Sequence, residues 1–190
     1  YFLSANNIEP TEITTGVTST SLPLLEVADK NHTKVALLTT CGFEHTLLLG
    51  GVASEFETSN PHLAVQATPP ADLTITRGVP ERVTANGEII QPLDTESASV
   101  LIQEVLHLGA EHIAISLLHS YANPVHELLT EKVLRAGLPD IHISPSHKVL
   151  SKIREFERFS TTAVYADRTP VLSTYLSRLQ DNLIALGFQG

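Results

Sequence analysis

The sequence predicts an α/β protein in which helices flank a mixed sheet that contains a βαβ unit and a β-hairpin. Two short runs, 35–40 and 113–118, are apolar on both faces, as expected for buried strands of a parallel sheet. Amphipathic helical patterns lie between and after these runs. With 190 residues, 42% of them hydrophobic, the chain can bury a core without disulfides, and its composition excludes disordered, collagen-like and disulfide-rich proteins.

The first predicted elements are a weak helix, a strand and a hairpin. The helical pattern over 18–29 is interrupted by Pro23, and the strand follows at 35–40. A β-hairpin is predicted over 82–90, because two β-type runs surround Asn86-Gly87, a pair that tolerates the positive φ of a type I′ turn.

A helix is predicted after Asp94, whose side chain can cap it, and Gly109 is placed to end it. Its apolar residues recur at helical spacing: Ala98, Leu101, Ile102, Val105 and Leu108. The strand at 113–118 follows.

A second helix is predicted after Asn123-Pro124, with Asn123 as N-cap and Pro124 at the first helical position. Gly137 is placed to close it, and a short strand follows at 141–143. Strand, helix and strand in this order favour a right-handed βαβ unit.

A last helix is predicted to begin at Thr169-Pro170 and to end at Gly187. We expect residues 1–190 to form one domain, with a candidate internal boundary in the loop-like stretch 54–71, which is rich in Ser, Asn, Pro and Ala.

The charge balance restricts the partners of this chain. Twelve Lys and Arg against 21 Asp and Glu give a net charge of −9, which argues against binding to nucleic acid or to an anionic membrane. A single cysteine, Cys41, favours a reducing compartment. The chain has no long apolar run and no signal-peptide pattern, so we expect it in the cytoplasm. Because it contains no Met and begins at Tyr1, we expect it to be a piece of a longer protein.

The segment His119-Ser120-Tyr121 directly follows the strand at 113–118. Open α/β sheets bind their ligands at this carboxyl end, so His119 is a candidate catalytic residue. The alternative is that His119 and Tyr121 only satisfy backbone groups in the turn into the next helix.

A second candidate site is the stretch 154–162, where Arg154, Glu155 and Arg158 are candidate catalytic residues. Its guanidinium and hydroxyl groups are sufficient to hold a phosphate or a carboxylate. The alternative is a surface helix with salt bridges; Arg154 and Arg158 are spaced i, i+4, which places them on one face if the stretch is helical.

Standard catalytic signatures do not occur: there is no P-loop, nucleophile elbow, His-Glu-x-x-His or paired Cys. The nine His residues are scattered, and His119 and His126 are seven apart, so no protein-bound metal is predicted. The hydroxyl-rich segment 14–21 leads into the weak helix and is either an anion-binding helix start or a plain cap.

Three motifs in order resemble one known family. They are Gly78-Val79-Pro80-Glu81-Arg82-Val83 with Ala85-Asn86-Gly87-Glu88-Ile89, then Leu117-Leu118-His119-Ser120-Tyr121-Ala122-Asn123-Pro124-Val125-His126-Glu127, then Ile153-Arg154-Glu155-Phe156-Glu157-Arg158-Phe159-Ser160-Thr161-Thr162. Together they are similar to the N-terminal region of the hydantoinase A/5-oxoprolinase family, and the resemblance covers about residues 34–190.

The resemblance implies an actin-like ATPase-related fold and an ATP-dependent hydrolase that opens cyclic amides, such as 5-oxoproline in glutathione metabolism or a hydantoin, through a phosphorylated intermediate. It implies ATP and Mg²⁺ as cofactors, with Gly16, Thr18 and Ser21 as a phosphate-binding loop. It also implies a larger C-terminal hydantoinase A domain and a hydantoinase B-type domain or subunit as partners, and an isolated N-terminal region without activity.

Two other functions remain open. Ketone carboxylases that act on acetone or acetophenone share this subunit type, so the chain is alternatively part of an ATP-dependent carboxylase. The third alternative is a degenerate binding or regulatory module, because Val17 and Leu22 differ from the family's Gly-Thr-Thr-x-x-Thr-Asn pattern.

Overall fold

The computed structural model describes residues 13, 15–17, 19–20, 33–49 and 72–188 of the chain. Its strands are β1 (Lys34–Thr40), β2 (Asp72–Val79), β3 (Arg82–Val83), β4 (Ile89–Gln91), β5 (His112–Ser116) and β6 (His142–Pro145). Its helices are α1 (Thr46–Leu49), α2 (Thr95–His107), α3 (Val125–Gly137), α4 (Ser146–Val149) and α5 (Glu155–Ala185).

The chain divides into two compact units, and the sheet lies in the unit formed by residues 32–167. Its four strands are parallel in the order β2-β1-β5-β6, so the predicted α/β class and the βαβ unit β5-α3-β6 are confirmed. The hairpin strands β3 and β4 form a separate two-stranded antiparallel sheet. The other unit contains residues 1–31 and 168–190.

The strand order creates a switch point between β1 and β5. The chain continues from β1 to β2, which lies beside β1 on the side away from β5. From β5 it continues to β6, which lies beside β5 on the side away from β1. Connections that leave in opposite directions open a crevice at the carboxyl ends of the two strands, where proteins of this architecture bind ligands.

Helices cover both faces of the sheet. One face packs Leu38, Ile113 and Ile115 with helix residues that include Val105 and Leu134. The opposite face packs Val35, Leu37 and Ala114 against α5, which contributes Phe159, Ala163 and Ala166. Burying a side chain as large as Phe159 stabilises the fold by roughly 1.5–3 kcal/mol, so this packing fixes the first part of α5 on the sheet.

The predicted α2 is confirmed together with both of its ends. Asp94 is the N-cap, and its carboxylate accepts hydrogen bonds from Glu96 N at 3.0 Å and from Ser97 Oγ at 2.6 Å. Gly109 follows the helix with a φ of 79°, a value that favours glycine.

Helix α3 begins one residue later than predicted, because Pro124 is its N-cap and Val125 its first residue. Asn123 Oδ1 still accepts a hydrogen bond from Val125 N at 3.2 Å, while its Nδ2 donates to Gly87 O at 2.8 Å. Asn123 therefore ties the start of α3 to the hairpin.

The hairpin is confirmed, but its turn is not type I′. That turn needs a positive φ at both central residues, and of Asn86 and Gly87 only Gly87 has one, at 83°. Gly87 N donates to Thr84 O at 2.9 Å, so the tight turn spans 84–87 and Gly87 occupies the left-handed position at its end.

The prediction that the last helix begins at Thr169-Pro170 is wrong, because α5 begins at Glu155 and carries Pro170 in its interior. An interior proline costs a helix about 3 kcal/mol, but the first part of α5 buries apolar residues in the core and offsets this cost. Gly187, with a φ of 91°, follows the end of α5 as predicted.

Two sequence predictions lie almost entirely outside the described residues: the weak helix over 18–29 and the internal boundary over 54–71. Within the described residues, no helix has the length and apolar character needed to cross a membrane.

Candidate active site at the carboxyl edge of the sheet

Polar side chains gather at the switch point, starting with Thr40, the last residue of β1. Thr40 Oγ1 accepts a hydrogen bond from Leu118 N at 2.8 Å, just after β5, and donates its own proton to Glu81 Oε1. Because the loops after β1, β2 and β5 leave the same edge of the sheet, residues distant in sequence meet here. This hydroxyl therefore bridges the two strands that flank the crevice.

Glu81 also holds the ring of His126, which lies in the first turn of α3. The distance between His126 Nδ1 and Glu81 Oε2 is 2.6 Å, and the two residues are 3% and 1% exposed. A carboxylate at this distance accepts a hydrogen bond from Nδ1 and fixes the orientation of the ring.

The neighbouring carboxylate, Glu127, accepts hydrogen bonds from four donors and is completely buried. Its Oε1 binds Leu117 N at 2.9 Å and Ser146 Oγ at 2.6 Å, and its Oε2 binds His147 N at 2.9 Å and His147 Nδ1 at 2.7 Å. Glu127 thereby fixes the segments that follow β5 and β6.

Arg158 of α5 is also fully buried, and its Nη1 lies 3.9 Å from Glu127 Oε1. Nη1 donates to Leu117 O and Ser146 Oγ, each at 2.8 Å, and to Ser120 Oγ. Burial lowers the pKa of Arg158, because desolvation disfavours the charged guanidinium. The charge of Glu127 raises this pKa, but its effect is smaller than that of desolvation. Within the described residues its Nε and Nη2 have no hydrogen-bond partner.

Three hydroxyls on the α5 face of the sheet are likewise buried without a partner among the described residues: Thr39, Ser116 and Ser144. Thr39 and Ser116 are register neighbours on β1 and β5, and Ser144 is paired with Ala114 of the α5 face. The carboxyl edge therefore holds more hydrogen-bonding capacity than the described chain uses.

Comparison with known proteins decides the family. Residues 2–138 match the hydantoinase/oxoprolinase N-terminal region. The chain belongs to this family. The motifs that carry the resemblance contain Glu81, His126, Glu127 and Arg158, so this hydantoinase/oxoprolinase N-terminal region places its family motifs together at the switch point.

Two relatives cover nearly the whole chain. The gamma subunit of acetophenone carboxylase from Aromatoleum aromaticum is 31% identical over 185 residues, which are 90% of this chain and 25% of the relative. The alpha subunit of caprolactamase from Pseudomonas jessenii is 30% identical over 177 residues, which are 91% of this chain and 25% of the relative. The chain spans about a quarter of the length of the curated relatives it matches.

A solved structure shows the same fold. The crystal structure of the ATP-dependent caprolactamase from Pseudomonas jessenii superimposes with a TM-score of 0.81 and 28% sequence identity, over 100% of this chain and 28% of the other. The predicted α/β fold and the predicted family are therefore both confirmed.

His119 lies next to the polar cluster in a left-handed conformation, with a φ of 57°. Its Nδ1 is 3.2 Å from Tyr121 OH, and the Tyr121 ring centroid is 5.8 Å from Arg158 Cζ. His119 is only half-buried, and its hydrogen bond goes to a side chain and not to the backbone. The structure thus brings His119 and Arg158 to the same edge of the sheet.

Arg154 and Arg158 do not share an environment, although they are four residues apart. Arg154 precedes α5 with a φ of 80°, its side chain is 72% exposed, and it lies 3.4 Å from Glu157. Glu155, the first residue of the helix, is half-buried. Because Arg154 lies outside the helix, the i, i+4 spacing does not put the two guanidinium groups on one face.

Of the three residues of the predicted phosphate loop, Gly16 is described and is surrounded by open space. Thr18 and Ser21 lie outside the described residues. In the described part of the chain, no group of three or more His, Cys, Asp or Glu side chains is arranged to hold a metal ion. The described residues therefore do not form a Mg²⁺ site.

Sequence reasoning missed Thr40, Glu81, His126 and Glu127 as site residues. Glu81, His126 and Glu127 belong to the three family motifs, but their contacts join residues that are distant in sequence. The separations are 41 positions for Thr40–Glu81, 45 for Glu81–His126 and 20 for Glu127–His147, and motif spacing does not reveal such contacts. One signal was available for Thr40, since it is a polar residue at the carboxyl end of a predicted buried strand.

Proposed function

We propose that this chain is the N-terminal region of an ATP-dependent enzyme that opens cyclic amides of the 5-oxoproline or hydantoin type. The match of the whole chain to 28% of an ATP-dependent caprolactamase is the observation that carries the proposal. The buried acid, base and guanidinium groups at the switch point support it, because ring opening needs proton transfer and charge stabilisation.

In this proposal ATP supplies a phosphoryl group that activates the amide carbonyl before water opens the ring. Gly16, Thr18 and Ser21 are the proposed phosphate loop, with Mg²⁺ held by residues elsewhere in the complete enzyme. His119, Arg158, Arg154 and Glu155 are proposed to lie near substrate or phosphate; the burial of Arg158 and the exposure of Arg154 favour Arg158 for an anion held inside the protein.

The partners of the chain belong to the same proposal. Because the relatives are about four times longer, we expect residues 1–190 to act with a larger hydantoinase A domain and with a hydantoinase B-type domain or subunit, and to be inactive alone. We also expect a cytoplasmic enzyme, and a place in glutathione metabolism if the substrate is 5-oxoproline.

The test is ATP hydrolysis by the complete enzyme that contains this chain, measured with 5-oxoproline, hydantoin and caprolactam in turn. We expect one of these lactams to raise the rate of ADP release and to appear as its ring-opened carboxylic acid by mass spectrometry. Unchanged ATP hydrolysis with every lactam would contradict the proposal.

A ketone carboxylase subunit is the second candidate, favoured by the 31% identity to the acetophenone carboxylase gamma subunit. Bicarbonate-dependent ATP hydrolysis in the presence of acetone or acetophenone, with formation of a β-keto acid, would identify this activity. The same preparation then serves to compare the two candidates directly.

A further inference from the structure

The pair formed by His126 and Glu81 has the arrangement of a proton-transfer site. The carboxylate holds Nδ1 at 2.6 Å, and the exposed fractions of the two side chains are 4% and 0%. The second ring nitrogen, Nε2, has no hydrogen-bond partner among the described residues. One nitrogen of this buried ring is thus held by a carboxylate, while the other has no partner in the described part of the chain.

The contacts of Glu81 favour a proton on His126 Nδ1. Thr40 receives a hydrogen bond from Leu118 N, so its only proton is free to point at Glu81 Oε1. The remaining oxygen, Oε2, accepts from His126 Nδ1. Every donor has one acceptor in this chain of contacts, and a proton gained at Nε2 would be stabilised by the Glu81 carboxylate.

A second His–Glu pair, His147 with Glu127, serves as an internal comparison. Glu127 also binds Leu117 N and Ser146 Oγ and lies 3.9 Å from Arg158, so its charge is shared among several donors. Among the described residues, Glu81 has only Thr40 and His126 as hydrogen-bonding partners. His126 is also linked through Thr40 to the switch point between β1 and β5, whereas His147 follows β6 at the edge of the sheet.

We propose that His126 is a general base that removes the amide proton of the cyclic substrate, and that Glu81 is its positioning residue. This inference rests on the proposed function. As the N–H bond breaks, its proton goes to Nε2, its electron pair forms a C=N bond, and the carbonyl electron pair moves to oxygen. That oxygen bonds to the γ-phosphorus of ATP while the bond to the β,γ-bridging oxygen breaks and ADP leaves.

The same base explains why lactam and ketone enzymes share one subunit type. A lactam carries a proton on the nitrogen next to its carbonyl carbon, and acetophenone carries one on the adjacent methyl carbon. Removing either proton makes the carbonyl oxygen a nucleophile toward phosphorus, and a positioned base contributes roughly 10²–10⁴-fold to such a step.

The first experiment measures lactam-stimulated ATP hydrolysis in the complete enzyme with His126→Asn, whose amide can still donate to Glu81 but has no lone pair at the position of Nε2. We expect kcat to fall at least 100-fold with KM within about threefold, a loss in the range expected for a general base. His107→Asn, an exposed change on α2, is the matched control and should leave kcat unchanged. N-methylcaprolactam, which has no amide proton, should not stimulate the wild-type enzyme.

The second experiment reads the tautomer directly by NMR of the complete enzyme labelled with ¹⁵N-histidine, with His126 assigned from the signal lost in His126→Asn. We expect a ring protonated at Nδ1 only, and loss of this preference in Glu81→Gln. A ring protonated at Nε2 would overturn the proposal.

The kinetic outcomes separate this inference from the function on which it rests. Turnover that persists in His126→Asn, or that is lost only in His147→Asn, would refute the role of His126 and leave the proposed function standing. A wild-type enzyme that no lactam stimulates would refute the proposed function and the base with it.

Discussion

Replacing Glu127 with Gln tests the buried network at the carboxyl edge, because the change keeps the shape of the side chain but removes its charge and one acceptor oxygen. In either orientation, the new NH₂ group faces a backbone N–H, from Leu117 or from His147, which at present donates to Glu127 at 2.9 Å. Ser146 Oγ can accept after its hydroxyl rotates, and His147 Nδ1 can accept in the other tautomer, whereas a backbone N–H can only donate.

The expected destabilisation follows from this count. A hydrogen bond to a charged group is worth about 1.5–3 kcal/mol, and a buried donor left without an acceptor costs a further 1–3 kcal/mol or so. Arg158, 3.9 Å from Glu127, also loses its buried counter-charge. We therefore expect Glu127→Gln to lower the free energy of unfolding by about 3 kcal/mol or more.

Urea denaturation followed by circular dichroism measures this loss. Glu157→Gln is the matched control, because Glu157 forms an exposed pair with Arg154 at 3.4 Å and its replacement should cost less than about 1 kcal/mol. Equal losses in the two variants would show that Glu127 does not hold the segments after β5 and β6 in place.

Three further predictions concern other parts of the chain. The rings of His112 and His142 form a T-shaped pair 6.2 Å apart, and burial lowers the pKa of both, so the unfolded chain binds protons first and stability should fall as the pH drops below about 6.5. In urea titrations at pH 7.5 and 5.5, His112→Phe should show a smaller loss of stability between the two pH values than the wild type. An equal loss in the variant and the wild type would contradict this prediction. Gly78→Ala should lower the melting temperature, because the new Cβ would lie 3.0 Å from Cys41 Cα, at a cost of about 1–3 kcal/mol. In Gly16→Ala, the control variant, the new Cβ enters open space, and the melting temperature should not change. Pro170→Ala should raise the thermal stability by about 1–3 kcal/mol by restoring a helical hydrogen bond within α5, and an unchanged melting temperature would argue against the continuous helix.

The local elements of the fold could be predicted because their signals lie within a few residues. Asp94 caps α2 through an atom two positions away, and the apolar run of β5 needs no partner to be recognised as a buried strand. Strand β2 was not predicted, because Arg77 and Gly78 interrupt its run of apolar residues. An edge strand of the described sheet tolerates this interruption, since the Arg77 side chain pairs with Glu104 of α2 at 2.5 Å.

The candidate site was less accessible to sequence reasoning. A pattern of alternating Arg and Glu is typical of a solvated helix, and Arg154 with Glu157 behaves accordingly. Arg158 is buried only because α5 packs Phe159 into the sheet, which places the guanidinium beside Leu117 O and Ser146. The contact between Glu81 and His126 depends on the strand order, since 45 positions separate them along the chain.

The most direct measurement is the crystal structure of the complete enzyme with a bound lactam and a non-hydrolysable ATP analogue. The lactam nitrogen should lie within hydrogen-bonding distance, about 3 Å, of His126 Nε2 at the carboxyl ends of β1 and β5. A lactam bound away from this edge of the sheet, with His126 covered by protein, would contradict the assignment of the active site.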